Sequence, residues 1–206
     1  MAESSVSDKE TGREPDREPC PERDPGKEAD SEAGKDFEAR SRRIRLIVMD
    51  VDGVLSESRL IYTEGSGEAR TFSIKDGMGI TLARLAGLEV ALISGRESVI
   101  VARRAAELHL TDVYQGVIRK LGTFSQLLRK YGLDKEQVCY IGDDINDLPI
   151  LREVGLAVAV ADAVEEVKLA AHYVTRAQGG NGAVREIIDR ILRFQNLYED
   201  AIKFFA

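Results

Sequence analysis

Six short apolar runs, near residues 44–49, 88–93, 110–114, 138–141, 156–160 and 172–175, alternate along this chain with stretches that have the period of a helix. The helical stretches fall near 81–86, 97–108, 120–131, 146–153, 163–170 and from about 183 onward. Runs that are apolar at nearly every position suit strands covered on both faces, and strands alternating with helices build a parallel sheet through right-handed crossovers. The expected fold class is therefore α/β, a Rossmann-like doubly wound parallel sheet. One interruption breaks the rhythm. Arg59-Leu60-Ile61-Tyr62-Thr63 and Ala69-Arg70-Thr71-Phe72-Ser73 flank a glycine-containing turn and predict a β-hairpin inserted after the first strand.

Residues 1–41 read differently. They hold thirteen acidic and seven basic residues and four of the five prolines, with Phe37 as the only aromatic. Such a segment buries too little apolar surface to offset ordering, so a disordered charged tail is expected over 1–41 and a folded domain over 42–206. The tail carries −6 of the chain's net −7, which leaves the domain near neutral and gives no electrostatic case for nucleic-acid binding. No apolar run is long enough to span a bilayer, and the amino terminus, with Glu3, Asp8 and Glu10, does not read as a signal peptide. With only Cys20 and Cys139, a disulfide framework is not expected and the reducing cytoplasm is the simplest compartment.

The first apolar run ends in Asp50-Val51-Asp52-Gly53, and ligand sites in open α/β sheets lie outside the carboxyl ends of the strands. Two carboxylates this close repel unless a cation, a donor or a shared proton offsets them, and a hard divalent metal is the obvious candidate. Taken alone the string also fits a turn whose aspartates cap the next backbone segment. Three further segments fall at or beyond strand or helix ends: Ser94-Gly95-Arg96, Lys120, and Gly142-Asp143-Asp144 through Asp147. Lys120 alone reads as a solvated helix lysine and Ser94 alone as an N-cap. Together they supply a carboxylate nucleophile, a hydroxyl and backbone N–H groups for phosphoryl oxygens, a neutralising lysine and metal-holding carboxylates, which are the needs of phosphoryl transfer.

These four segments, in this order, resemble the motifs of the haloacid dehalogenase-like phosphohydrolases. The resemblance implies Asp50 as nucleophile, Asp52 as general acid and then base, and Ser94 and Lys120 as phosphoryl-binding groups. It implies Mg²⁺ held by Asp50, the Asp52 backbone carbonyl and Asp143, with Asp144 and Asp147 behind them positioning a metal water and Lys120. Family members usually carry a cap domain after the first motif or between the third and fourth. The 44 positions from Asp50 to Ser94 and the 23 from Lys120 to Asp143 leave no room for one.

The capless pattern is similar to that of the 3-deoxy-D-manno-octulosonate 8-phosphate phosphatases over about residues 44–190, through Lys75-Asp76-Gly77-Met78-Gly79-Ile80, Tyr114-Gln115-Gly116, 158–163 and Tyr173-Val174-Thr175-Arg176. It implies a homotetramer whose neighbouring subunit helps cover the site, and hydrolysis of that sugar phosphate in lipopolysaccharide precursor synthesis. It also implies sugar-acid contacts from Ser73, Ile74, Lys75, Asp76, Gly77, Arg96 and Arg104, in addition to Asp52 and Lys120. An arginine suits a carboxylate because the guanidinium binds it bidentately, although Arg104 without the resemblance reads equally as a surface helix residue. Thr81 and Asn181 stand where that pattern has arginines. A phosphatase for another sugar acid, such as an acylneuraminate or nonulosonate 9-phosphate, and a catalytically silent binding module are the competing readings.

Overall fold

The computed structural model describes residues 32–64 and 67–206. Six strands form one parallel sheet: β1 (Leu46–Met49), β4 (Glu89–Ile93), β5 (Asp112–Tyr114), β6 (Val138–Gly142), β7 (Leu156–Ala159) and β8 (Tyr173–Val174), in the order β5-β4-β1-β6-β7-β8. β1 lies at the centre, in register with both neighbours, Met49 standing opposite Leu92 on β4 and Ile141 on β6. All four of its residues are fully buried, as a strand covered on both faces requires. The chain builds outward from β1 through β4 and β5, then returns to the other side with β6. Its direction of growth therefore reverses between β1 and β6, where an open α/β sheet places its ligand crevice.

Helices α1 (Glu32–Ser41), α2 (Ile74–Leu85), α3 (Val99–Glu107), α4 (Lys120–Tyr131), α5 (Leu148–Leu151), α6 (Glu165–Ala170), α7 (Ala183–Phe194) and α8 (Tyr198–Lys203) cover the sheet. Between β1 and β4 stand only α2 and a two-stranded antiparallel ribbon, β2 (Ile61–Thr63) with β3 (Gly67–Ala69). Between α4 and β6 stands a single 3₁₀ turn, Lys135–Gln137. No cap domain is inserted at either place, as the spacing requires.

Three expectations are corrected. The hairpin pairs Ile61 with Ala69, so its second strand ends where the sequence pattern starts it, and residues 70–73 run on toward the sheet. The helix expected from residue 81 begins at Ile74, with Ser73 Oγ accepting from the Asp76 N–H as its N-cap. Gly77 and Gly79 are tolerated inside it because both serve close packing. A Cβ on Gly77 would fall 2.3 Å from Arg104 Nη2, and one on Gly79 would fall 3.1 Å from Arg185 Cα.

The third correction concerns the tail. Its last ten residues form α1, because the one aromatic residue finds a socket. Phe37 is 2% exposed, 4.9 Å from the Tyr173 ring and 5.9 Å from the Phe194 ring, with the Arg190 guanidinium 4.8 Å above it. Arg40 Nη1 donates to Gly155 O at 2.7 Å, and Gln195 Nε2 donates to Ser41 O and Ile44 O. The rest of the expected tail, residues 1–31, lies outside the described residues.

Candidate active site

Three adjacent strands of the sheet, β4, β1 and β6, deliver the polar groups. Asp50 follows β1, Ser94 follows β4 and Asp143 follows β6, and a two-strand span of a sheet is only about 10 Å wide. Lys120, the first residue of α4, enters from above. Its ammonium is completely buried, 2.8 Å from Asp50 Oδ1 and 2.7 Å from Asp147 Oδ1. Burial alone would lower the Lys120 pKa, but the two carboxylates outweigh it and hold the lysine above its ordinary value.

Asp147 is committed to these neighbours. Its Oδ1 accepts from Lys120 and, at 2.6 Å, from the hydroxyl of Tyr140. Its Oδ2 accepts from the backbone N–H of Asp143 at 3.0 Å and of Asp144 at 3.5 Å. Gly142 leaves the room for this, since a Cβ there would lie 2.7 Å from Asp147 Oδ2. Asp144 itself turns outward, accepting from the Ile145 N–H at 2.7 Å to cap a 3₁₀ turn.

Asp143 is the group left over. Its Oδ1 is buried with no hydrogen-bond partner among the described residues. Burial, reinforced by Asp50, Asp147 and Asp144, pushes its carboxyl up to about 8. Burial also raises Asp50 to about 6, against the pull of Lys120. Oxygens of Asp50, Asp143 and Asp147 lie within 4.8 Å of one another. With Asp147 saturated by donors, Asp50 and Asp143 are the carboxylates with lone pairs to offer, and an oxygen-rich buried pair suits a hard divalent cation. Gly53, at φ +95°, keeps this space open: a Cβ there would fall 1.9 Å from Asp143 Oδ2.

Asp52 stands on the other side of the same loop, its side chain 27% exposed. Ser94 Oγ donates to Asp52 Oδ2 at 3.4 Å and accepts from the Arg96 N–H at 3.2 Å. The second oxygen of Asp52 is taken by Arg70, which the end of the hairpin brings in. Arg70 and Tyr140 are the two site neighbours that sequence reasoning missed. Tyr140 carried a signal, a hydroxyl within an otherwise apolar strand, whereas Arg70 looked like any charged residue of a hairpin.

The residues expected around the sugar acid are only partly gathered. Arg104 packs beside the start of α2, its guanidinium 3.5 Å from Ser73 O, and Arg96 and Lys75 are exposed. Ile74 projects into solvent, 84% exposed. The Asp76 carboxylate points away to the start of α7, accepting from the N–H groups of Gly182 at 3.0 Å and Arg185 at 2.8 Å. It is fully buried there and caps that helix, so its side chain is not available to a ligand.

Residues 98–187 match the family described as haloacid dehalogenase-like hydrolase. The chain is 46% identical over 167 residues to the 3-deoxy-D-manno-octulosonate 8-phosphate phosphatase KdsC of Escherichia coli K12, covering 81% of this chain and 88% of that protein. This chain belongs to the haloacid dehalogenase-like hydrolases. Among solved members, the 3-deoxy-D-manno-octulosonate 8-phosphate phosphatase of Moraxella catarrhalis, in complex with magnesium, phosphate and a KDO molecule, superposes with a TM-score of 0.81 at 37% identity, covering 84% of this chain and 99% of that one. The corresponding phosphatase of Yersinia pestis gives 0.79 at 43% identity, covering 80% and 89%. The likeness to these haloacid dehalogenase-like enzymes covers four-fifths or more of the chain, not only the four motifs.

Proposed function

We propose that this chain is a Mg²⁺-dependent phosphomonoesterase that hydrolyses 3-deoxy-D-manno-octulosonate 8-phosphate, in the synthesis of lipopolysaccharide precursors. The observation that carries the reading is the buried Lys120 ammonium bridging Asp50 and Asp147, with the unsatisfied Asp143 carboxylate beside them. Nucleophile, phosphoryl-neutralising cation and metal-holding acids meet in one cluster at the point where the sheet reverses its growth. The relatives named for this reaction, and the solved one that contains magnesium, phosphate and KDO, support the substrate and the cation.

In this reading an Asp50 carboxylate oxygen attacks phosphorus and the bond from phosphorus to the sugar oxygen breaks. Asp52 gives its proton to that departing oxygen. Asp52 then takes a proton from water, whose oxygen attacks the aspartyl-phosphate and frees both phosphate and Asp50. Lys120, Ser94 and backbone N–H groups after β4 hold the phosphoryl oxygens, and Asp147 with Tyr140 holds Lys120 in place. Asp50, Asp143 and the Asp52 backbone carbonyl would hold Mg²⁺, which neutralises phosphoryl charge when bound. Asp144 acts behind Asp143, through its charge. Ser73, Ile74, Lys75 and the backbone of Gly77, with Arg96 and Arg104, form the sugar-acid side of the site, and Asp76 supports that loop by holding it to the start of α7. A homotetramer in which a neighbour covers this open edge, working in the cytoplasm, completes the proposal.

The test is phosphate release from 3-deoxy-D-manno-octulosonate 8-phosphate against a panel of sugar phosphates, including a nonulosonate 9-phosphate, with Mg²⁺ or EDTA. The expected result is a Mg²⁺-dependent preference for the octulosonate, lost by more than about 10³-fold in Asp50→Asn. A preference for the 9-phosphate would keep the chemistry and replace the substrate. Failure to hydrolyse any phosphomonoester would leave a binding module.

A further inference from the structure

The hairpin does more than occupy the gap between β1 and α2: it sends one guanidinium back into the catalytic loop. Arg70 immediately follows β3, and its side chain is only 1% exposed although the ribbon preceding it is largely open to solvent. Its Nη1 donates to Asp52 Oδ1 and its Nε to Glu68 Oε1, so two of its three nitrogens are fixed on carboxylates. The third, Nη2, is buried with no hydrogen-bond partner among the described residues. Two residues on, Phe72 bridges to Ser56, and Ser56 bridges to Asp52 itself, so the segment that carries Arg70 is stitched to the loop that carries Asp52.

A short carboxylate with one oxygen free can rotate about χ1 and χ2. Fixing Oδ1 leaves Asp52 one working oxygen, Oδ2, and the Ser94 hydroxyl 3.4 Å away marks the direction in which it faces. That is the side on which the phosphoryl group sits in the reading above. A rigid planar fork is suited to this task where a single ammonium point charge is less so. Among the described residues, Arg70 is the group that grips Asp52 Oδ1.

We infer that Arg70 is the positioning residue for Asp52: it fixes the carboxylate that exchanges the proton with the departing and attacking oxygens, and the hairpin is thereby part of the catalytic apparatus. The inference rests on the proposed role of Asp52. Arg70 does not itself take part in phosphorus chemistry, so its loss should matter in proportion to how much the leaving oxygen needs a proton. An alkoxide from a sugar needs one; a nitrophenolate does not.

The experiment compares kcat/KM, which reports steps up to phosphoryl transfer onto Asp50, for the sugar 8-phosphate and for p-nitrophenyl phosphate. The variants are Arg70→Gln, Arg70→Lys, Asp52→Asn and the Arg70→Gln/Asp52→Asn pair, all with Mg²⁺. Arg70→Gln is expected to lose about 10²-fold on the sugar phosphate and less than about fivefold on the aryl phosphate. Arg70→Lys is expected to recover part of the loss, and the pair to be no worse than Asp52→Asn alone, since residues acting as one unit are not additive. Equal losses on both substrates for Arg70→Gln, with Asp52→Asn still discriminating between them, would overturn the inference and leave Asp52 its role. If Asp52→Asn does not discriminate, the reading of Asp52 falls and the inference falls with it. Should Arg70→Gln fail to fold, Arg70→Lys carries the same test through a smaller loss with the same dependence on the leaving group.

Discussion

Helix α4 has a lysine near each end, and each lysine shares an aspartate with a tyrosine hydroxyl, yet the two clusters have opposite characters. At the amino end Lys120 and Tyr140 share Asp147, with Asp50 and Asp143 crowded alongside. At the carboxyl end Asp112 accepts from Lys130 at 2.5 and 2.7 Å, from Tyr114 at 2.9 Å and from Tyr131. Burial pushes the Asp112 carboxyl up, but those four bonds outweigh it and hold the group below its ordinary value, while Asp143 rises to about 8. The difference is the ratio of acids to donors. One carboxylate met by three donor groups is a finished structural joint. Three carboxylates around one ammonium leave a negative surplus that bound protons or an added cation must settle, and such clusters mark functional sites.

The sharpest break in this comparison comes from removing the cation at each end. Lys120→Met should abolish phosphatase activity by at least about 10²-fold and destabilise the fold by about 3–5 kcal/mol, since it strands buried carboxylates. Steady-state kinetics and denaturant unfolding read the two effects. If Lys120→Met kept its activity, the amino-end cluster would be a joint like the other.

Next in size is the pH response of the metal-free chain. Asp50 and Asp143 have folded pKa values of about 6 and about 8, raised above 3.8, so the folded state binds more protons than the unfolded one between those values. Stability therefore falls as pH rises from about 4 to about 8. Lys120, raised above 10.5, stays charged throughout this window and adds no slope. Melting temperatures in EDTA should decline over that range. Added Mg²⁺ should raise them, more at pH 8 than at pH 5, because protons compete for the same oxygens. The Asp112 cluster works in the other direction: its contribution is complete above about 3.8 and is lost only as pH falls below it.

Smaller again is Asp112→Asn, expected to cost about 1–3 kcal/mol in denaturant unfolding while leaving kcat and KM within a factor of about two. A collapse of activity would show that the carboxyl end of α4 sets the position of Lys120. The smallest effect belongs to Lys130→Met. Its side chain is 49% exposed, and the tyrosines remain on Asp112, so neither kinetics nor melting temperature should move measurably.

Much of this was legible in the residue order. The sheet followed from runs such as 44–49 and 138–141, whose apolar monotony suits a doubly covered strand, and the acids were found because they stand where those runs stop. Asp143, Asp147 and Lys120, widely spaced in the sequence, stand in one cluster. What could not be read depends on contacts between distant segments. Gly77 and Gly79 argue against a helix locally and are accepted because Arg104 and Arg185 press against them. The resemblance places Asp76 at the substrate, whereas the partners of its carboxylate, Gly182 and Arg185, are more than a hundred positions away. Arg70 is a hairpin residue by sequence and an Asp52 contact only once the ribbon folds back. α1 was invisible because a single phenylalanine in a charged stretch carries no period.

That phenylalanine gives the molecule an unexpected handle. Phe37 plugs a socket formed by Tyr173, Phe194 and Arg190, far along the sequence and at the β8 edge of the sheet. Truncating the ring to alanine would leave a hollow with aromatic walls, of the kind that takes up benzene-sized molecules from solution. The stability of Phe37→Ala could then be tuned by dosing a small arene, giving a chemical rheostat on the fold that leaves every residue of the phosphate site untouched.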